Sequence, residues 1–133
     1  MFVKSENIND YFFEIFKNLE CHADTKAYIN GIFKRYTVAD QDFSTKSITL
    51  LYAEARERQD FVGFQNIGDW LFFSASMFPQ SLNCASMDYY DTIARSSYYR
   101  CYTLLNRQWR LYEELADNYR NLILRTSDLL ILP

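Results

Sequence analysis

Apolar residues recur along this chain at the three-and-four spacing of helices, not at the alternation of strands. Ile8, Tyr11, Phe12, Ile15, Phe16 and Leu19 share one face of a helix predicted over about Asn7 to Glu20. Cys21-His22-Ala23-Asp24 reads as a break, with Asp24 or Thr25 capping a second helix that carries Tyr28, Ile29, Ile32, Phe33 and Tyr36. Lys34 and Arg35 sit near its end, where the helix dipole favours cations. Residues 37–43 read as a loop. Ser44 suits the cap of a third helix, with Ile48, Leu51, Tyr52 and Ala55 on one side and Glu54, Arg56, Glu57 and Arg58 on a solvated face.

From Phe61 the stripe widens. Phe61, Phe64, Ile67, Leu71, Phe72, Ala75 and Phe78 line one side, and Trp70, Phe73 and Met77 the other. A helix apolar nearly all round belongs at the centre of a bundle. Pro79 ends it, because proline disfavours helical geometry at the preceding Phe78. The next helix, Met87 to Leu105, holds five of the chain's eleven tyrosines. At 100° per residue, Tyr90, Ile93, Ala94, Ser97, Cys101, Leu104 and Leu105 form the buried arc, with Tyr89, Tyr98 and Tyr102 at its edges. Asp88, Asp91, Thr92, Arg95, Ser96 and Thr103 lie opposite, and Tyr99 points to that polar side. A last helix is predicted from Arg107 or Trp109 to about Arg125, followed by an apolar, uncapped tail from Asp128 to Pro133 that folds back on the bundle or meets a partner.

The pattern predicts one all-α domain over residues 1–133, a compact bundle of five to six helices. Three glycines and two prolines leave little turn punctuation for a many-stranded fold, and aromatic residues at 18% supply the core mass. Net charge is −3, so no global pull toward nucleic acid or an anionic membrane exists. The charge is uneven, however: residues 95–125 hold six arginines against three acids. Three widely spaced cysteines, Cys21, Cys84 and Cys101, suit free thiols in a cytoplasmic protein. No signal-like start and no run of membrane-spanning length is present.

Candidate chemistry is sparse. His22 is the single histidine, with neither a CxxC nor a Glu-x-x-His to complete a metal set or a base to complete a nucleophilic triad. No glycine-rich loop exists to cradle phosphates. No cofactor, metal or catalytic residue is expected, and the chain reads as a non-enzyme. Asp69, an acid beside Trp70 inside the most apolar helix, is expected to form an ion pair with an arginine such as Arg95 or Arg100, or to mark a small-ligand pocket. The mixture of Arg95, Tyr99, Arg100, Arg107, Trp109 and Arg110 is the best partner-binding candidate. Such residues dominate protein-binding hot spots, and they also stack bases and hold phosphates.

The run from Ile67-Gly-Asp through Leu71-Phe-Phe-Ser to Phe78-Pro79, then Tyr89-Tyr90, Ile93, Ser96 or Ser97, Tyr98 and Tyr112-x-x-Leu-Ala-Asp-Asn118, resembles a set of small helical bacterial proteins with a Gly-Asp…Leu-Phe…Phe-Pro…Tyr-Tyr pattern. The resemblance covers the C-terminal half and implies a bacterial or phage origin without an activity. Arg95-Ser-Ser-Tyr-Tyr-Arg100 is more basic than that pattern. The expected function is a protein-interaction module, an adaptor or small inhibitor, whose partner is another protein or a second copy of itself. Nucleic-acid binding through the same face is the alternative.

Overall fold

The computed structural model describes residues 5–38 and 47–131, which form seven α-helices and one 3-10 turn and, among the described residues, no strand. The helices are α1 (Ser5–Phe16), α2 (Ala23–Val38), α3 (Ile48–Arg58), α4 (Phe61–Met77), α5 (Met87–Leu104), α6 (Arg110–Asp117) and α7 (Tyr119–Ile131). The 3-10 turn, Pro79–Ser81, joins α4 to α5. Among the described residues, no helix is long and apolar enough to cross a membrane.

The all-helical class agrees with the apolar periodicity; the helix count exceeds the expected five to six by dividing the last one. Asn118 closes α6 through its N–H to the Glu114 carbonyl, and its own carbonyl accepts from Leu122 to open α7. The stripe of Leu115, Ala116, Tyr119 and Leu122 runs across this break without losing burial, which is why periodicity alone reads one helix. Helix α7 then continues to Ile131, so the described part of the expected tail, residues 128–131, is helical, with Leu129 and Leu130 packed against the core, and residues 132–133 lie outside the described residues.

Other boundaries shift for local reasons. Helix α1 stops at Phe16 instead of Glu20, and the Leu19 N–H turns back to the Phe16 carbonyl as Leu19 enters the core. Helix α2 starts at Ala23, with Lys26 bonding the His22 carbonyl. Neither Asp24 nor Thr25 precedes it as a cap; Thr25 is instead buried in its first turn. The same helix keeps Thr37 and Val38, where a loop was expected. Ser44, the expected cap of α3, lies outside the described residues, and Ser47 holds that position by accepting from Leu50 N. Asp60 caps α4 on Gly63 N at 3.1 Å, and Ser86 caps α5 on Tyr89 N at 3.2 Å.

Helix α4 is central, packing against α2, α3, α5 and α7, and α5 packs on α4, α3, α6 and α7. The core between them is built of rings. Phe33 meets Phe12, Phe16, Phe72 and Phe73, and Phe72 meets Tyr119 edge-on. Edge-to-face contacts of this kind add roughly 0.5–1.5 kcal/mol each beyond area burial.

Candidate functional site

Two polar constellations stand out, one inside the bundle and one on its surface. The inner one is centred on Asp69 of α4, whose side chain is 1% exposed. A bare carboxylate at that depth would cost several kcal/mol, and three donors meet it. Tyr28 Oη of α2 donates at 2.9 and 3.0 Å, Tyr98 Oη of α5 donates at 2.9 Å, and Arg35 Nη2 of α2 lies at 2.6 Å. Tyr28 and Arg35 are seven residues apart, two helical turns, so one face of α2 presents both. Asp69 therefore ties α2, α4 and α5 together.

The ion pair expected at Asp69 is present, but its arginine is Arg35 and not Arg95 or Arg100. On α5 only the Tyr98 side turns toward α4, and Arg95 and Arg100 open onto a surface groove. Tyr98 was expected at the edge of the buried arc and is instead wholly buried. Gly68 makes the room, since a Cβ there would stand 2.8 Å from Tyr98 Cε1 and 2.9 Å from Cζ. Tyr112 of α6 completes the wall, edge-on to Tyr28 at 5.4 Å and accepting from Gln65 Nε2 at 2.8 Å.

The electrostatics make this cluster a fastening. Burial and the Asp69 charge push the Tyr28 and Tyr98 phenols far above their ordinary values, so both stay protonated donors. Burial pushes the Asp69 carboxyl up, while hydrogen bonds and charge from Arg35, then the two phenols, pull it back. Burial lowers the Arg35 value, but the bond to Asp69 and its charge outweigh that and raise it. Both directions describe one pair whose attraction is strong and whose desolvation is only partly offset. Three donors engage Asp69, so α2, α4 and α5 meet at one carboxylate. Trp70, its neighbour, is half-buried against the hydrophobic core.

The surface constellation is a groove of about 490 Å³ between α3, α5 and α6. Its floor is the polar stripe of α5, where Thr92, Arg95, Ser96, Tyr99, Arg100 and Thr103 recur at helical spacing. Tyr52 of α3 forms one wall, and Ala116 and Asp117 of α6 the other. Arg95 donates from Nε to the Ala116 carbonyl at 2.9 Å, a cation on the C-terminal end of α6 where the helix dipole is negative. Arg100 has no acceptor for its guanidinium among the described residues. Tyr99, which core packing left unexplained, is 44% exposed here and touches Tyr102 at 6.1 Å between ring centres.

The structure thus brings Arg95, Tyr99 and Arg100 to one groove and leaves Arg107, Trp109 and Arg110 outside its lining, at the α5–α6 connection. Asn106 and Arg107 there both adopt left-handed backbone, φ 57° and 60°, and the Arg107 N–H closes on the Tyr102 carbonyl. Trp109, at the N-cap position of α6, is 55% exposed, and Arg110 lies 3.9 Å from Glu113. Toward the other end of α5, Arg120 of α7 bridges Asp88 at 2.8 Å and Asp91 at 2.7 Å. Sequence reasoning missed Tyr28 and Arg35 as Asp69 partners and Tyr52 as a groove wall. The shared α2 face of Tyr28 and Arg35, opposite an acid in an apolar helix, was the available signal.

Compared with protein families, with curated proteins and with solved structures, the chain has no match. Among the described residues no grouping of His, Cys, Asp and Glu has the arrangement to hold a metal ion.

Proposed function

We propose that this chain is a non-enzymatic protein-interaction module, an adaptor or small inhibitor of a larger bacterial or phage machine, docking through the outer face of α5 and its connection to α6. One observation carries the reading: a half-exposed ring, Tyr99, stands beside Arg100, whose guanidinium has no acceptor among the described residues, on the floor of a groove. Tyrosine and arginine in such a setting are the residues that dominate binding energy at protein interfaces. Trp109, exposed at the nearby connection, adds a second anchor of the same kind.

The nucleic-acid alternative fits this face less well. Asp117 lies on the groove rim, and Asp88 and Asp91 follow along α5, so a phosphate backbone tracking α5 would meet three acids within a few turns. Pairing of this chain with itself through the same rings is a form of the interaction reading.

Site-specific photo-crosslinking in the native host tests it. A photoreactive residue at Tyr99 is expected to trap a discrete protein, or a second copy of the chain, while one at exposed Lys34 of α2 does not. A nucleic-acid adduct at Tyr99, or equal trapping at both positions, would overturn the reading.

A further inference from the structure

We propose that the α3–α5–α6 groove is a docking site for an extended acidic segment of a partner protein, with alternate carboxylates seated on Arg95 and Arg100. The inference rests on the interaction reading above and adds the chemistry of what is bound. The hydrogen-bonding capacity left open in the groove decides it. Thr92 Oγ1 donates to the Asp88 carbonyl at 2.8 Å and Thr103 Oγ1 to the Arg100 carbonyl at 3.0 Å, so both hydroxyl protons are already spent on the helix. The bond from Arg95 Nε to Ala116 fixes the plane of that guanidinium and leaves its terminal nitrogens for a ligand. Arg100 keeps its whole donor fork. The cationic donors left open are therefore the two guanidinium groups, which carboxylates complement in the short, often two-pronged geometry that guanidinium favours.

The spacing narrows the occupant further. Five residues of α-helix separate the two arginines, an axial rise of about 7.5 Å, and a net turn of about 140° places them on opposite sides of the groove-facing stripe of α5. Alternate side chains of an extended peptide emerge on one side about 6.8 Å apart, so an acid–x–acid segment laid along α5 matches that rise. The residue between the acids projects the other way, and the Tyr52 and Tyr99 rings give the flanking positions apolar contact. Asp117, at the α6 wall beside Ala116, repels a third acid there and sets the direction of the segment. The basic stretch is also short, because at the N-terminal end of α5 Asp88 and Asp91 clamp Arg120.

The test is selection of displayed random dodecapeptides on the full chain, with the recovered sequences synthesised and their affinity measured by fluorescence anisotropy. Recovered peptides are expected to carry Asp or Glu at alternate positions. Their affinity is expected to fall at least about tenfold on Arg100→Glu and on replacing the acids by their amides, since each swap removes a charge-assisted bond. Lys34→Glu, exposed on α2 and absent from the groove lining, is expected to change it less than about twofold. Tyr99→Ala serves as a second groove variant, and a melting curve on each variant separates lost binding from lost folding. Peptides without acidic enrichment, indifference to both groove variants, no recovery at all, or an oligothymidylate that displaces the peptide would each overturn the proposal. A protein trapped at Tyr99 in cells alongside such a failure leaves the interaction reading standing and removes only the acidic occupant.

Discussion

Arg35→Met isolates the ion pair that holds Asp69 and tests whether the inner cluster is a fastening. Methionine keeps an apolar stem of similar reach and removes the cation. Stripping a partner from a fully buried pair costs about 3–5 kcal/mol. Arg35, however, is 42% exposed, so water screens it, and the Tyr28 and Tyr98 hydroxyls stay on the carboxylate. Discounted for both, the expected loss is about 2 kcal/mol at neutral pH. The pH dependence gives a sharper check. Burial already holds the Asp69 carboxyl above its ordinary value, and the bond to Arg35 is the first opposing influence. A carboxyl raised in the folded state binds protons there first, so its contribution is fully present below the unfolded value and is lost as pH rises through the folded one. Removing Arg35 raises the folded value further and carries that loss closer to neutrality. The cost of Arg35→Met is therefore larger at about pH 7.5 than at about pH 4.5. Urea unfolding followed by circular dichroism at the two pH values, compared at constant m, measures it. A loss under about 0.5 kcal/mol at both pH values, or an equal loss in an Asp69→Asn background, would refute the account.

Three further outcomes follow from the packing. Gly68→Ala places a methyl 2.8 Å from the Tyr98 ring, which is wholly buried and tied to Asp69. Overpacking of about 3 kcal/mol less about 1 kcal/mol of gained helix propensity predicts a net loss near 2 kcal/mol in urea unfolding, and a neutral or stabilising change would sink the close-approach argument. Ser86→Ala removes the α5 cap on Tyr89 N and is expected to cost about 1 kcal/mol by the same measurement, with Ser86→Gly costing less. In native protein a thiol-specific chromogenic reagent is expected to label exposed Cys84 at once and buried Cys101 only on unfolding, because burial pushes the Cys101 thiol well above its ordinary value; early labelling of Cys101 would contradict the packing of α5 on α4.

The fold was largely legible because its helices bury wide stripes. Phe12 and Phe16 of α1, the aromatic face of α2, the nearly all-apolar α4 and its stop before Pro79 follow from spacing and proline geometry, whereas Tyr11 and Phe78, read onto the buried stripes, are exposed. The break at Asn118 was not legible, since an apolar stripe crosses it and no glycine or proline marks it. The position of Tyr98 was also hidden. A helical projection ranks residues by angle on their own helix, whereas Tyr98 is buried by a vacancy on another, at Gly68. The acid in α4 announced that a cation would meet it. Which cation depends on the way α2 crosses α4, and the face of α2 shared by Tyr28 and Arg35 is the local sign of that crossing.

The adjacent Tyr98 and Tyr99 connect the two constellations. Tyr98 is held inward by a hydroxyl bond to Asp69 and by the space over Gly68, and that contact sets the rotation of α5 about its own axis. With the rotation set, the next residue emerges about 100° away, and the side of α5 bearing Tyr99, Arg95 and Arg100 faces the groove. The Arg95 bond to Ala116 then fastens the C-terminal end of α6 against α5 and defines the opposite wall. A docking face made of long side chains loses rotamer entropy when it binds, and a rigid floor keeps that loss to the few side chains that touch the ligand. The buried acid, costly as it is, thereby acts on the surface: it couples α2 and α4 to α5, whose outer stripe carries Arg100 and the exposed Tyr99 ring.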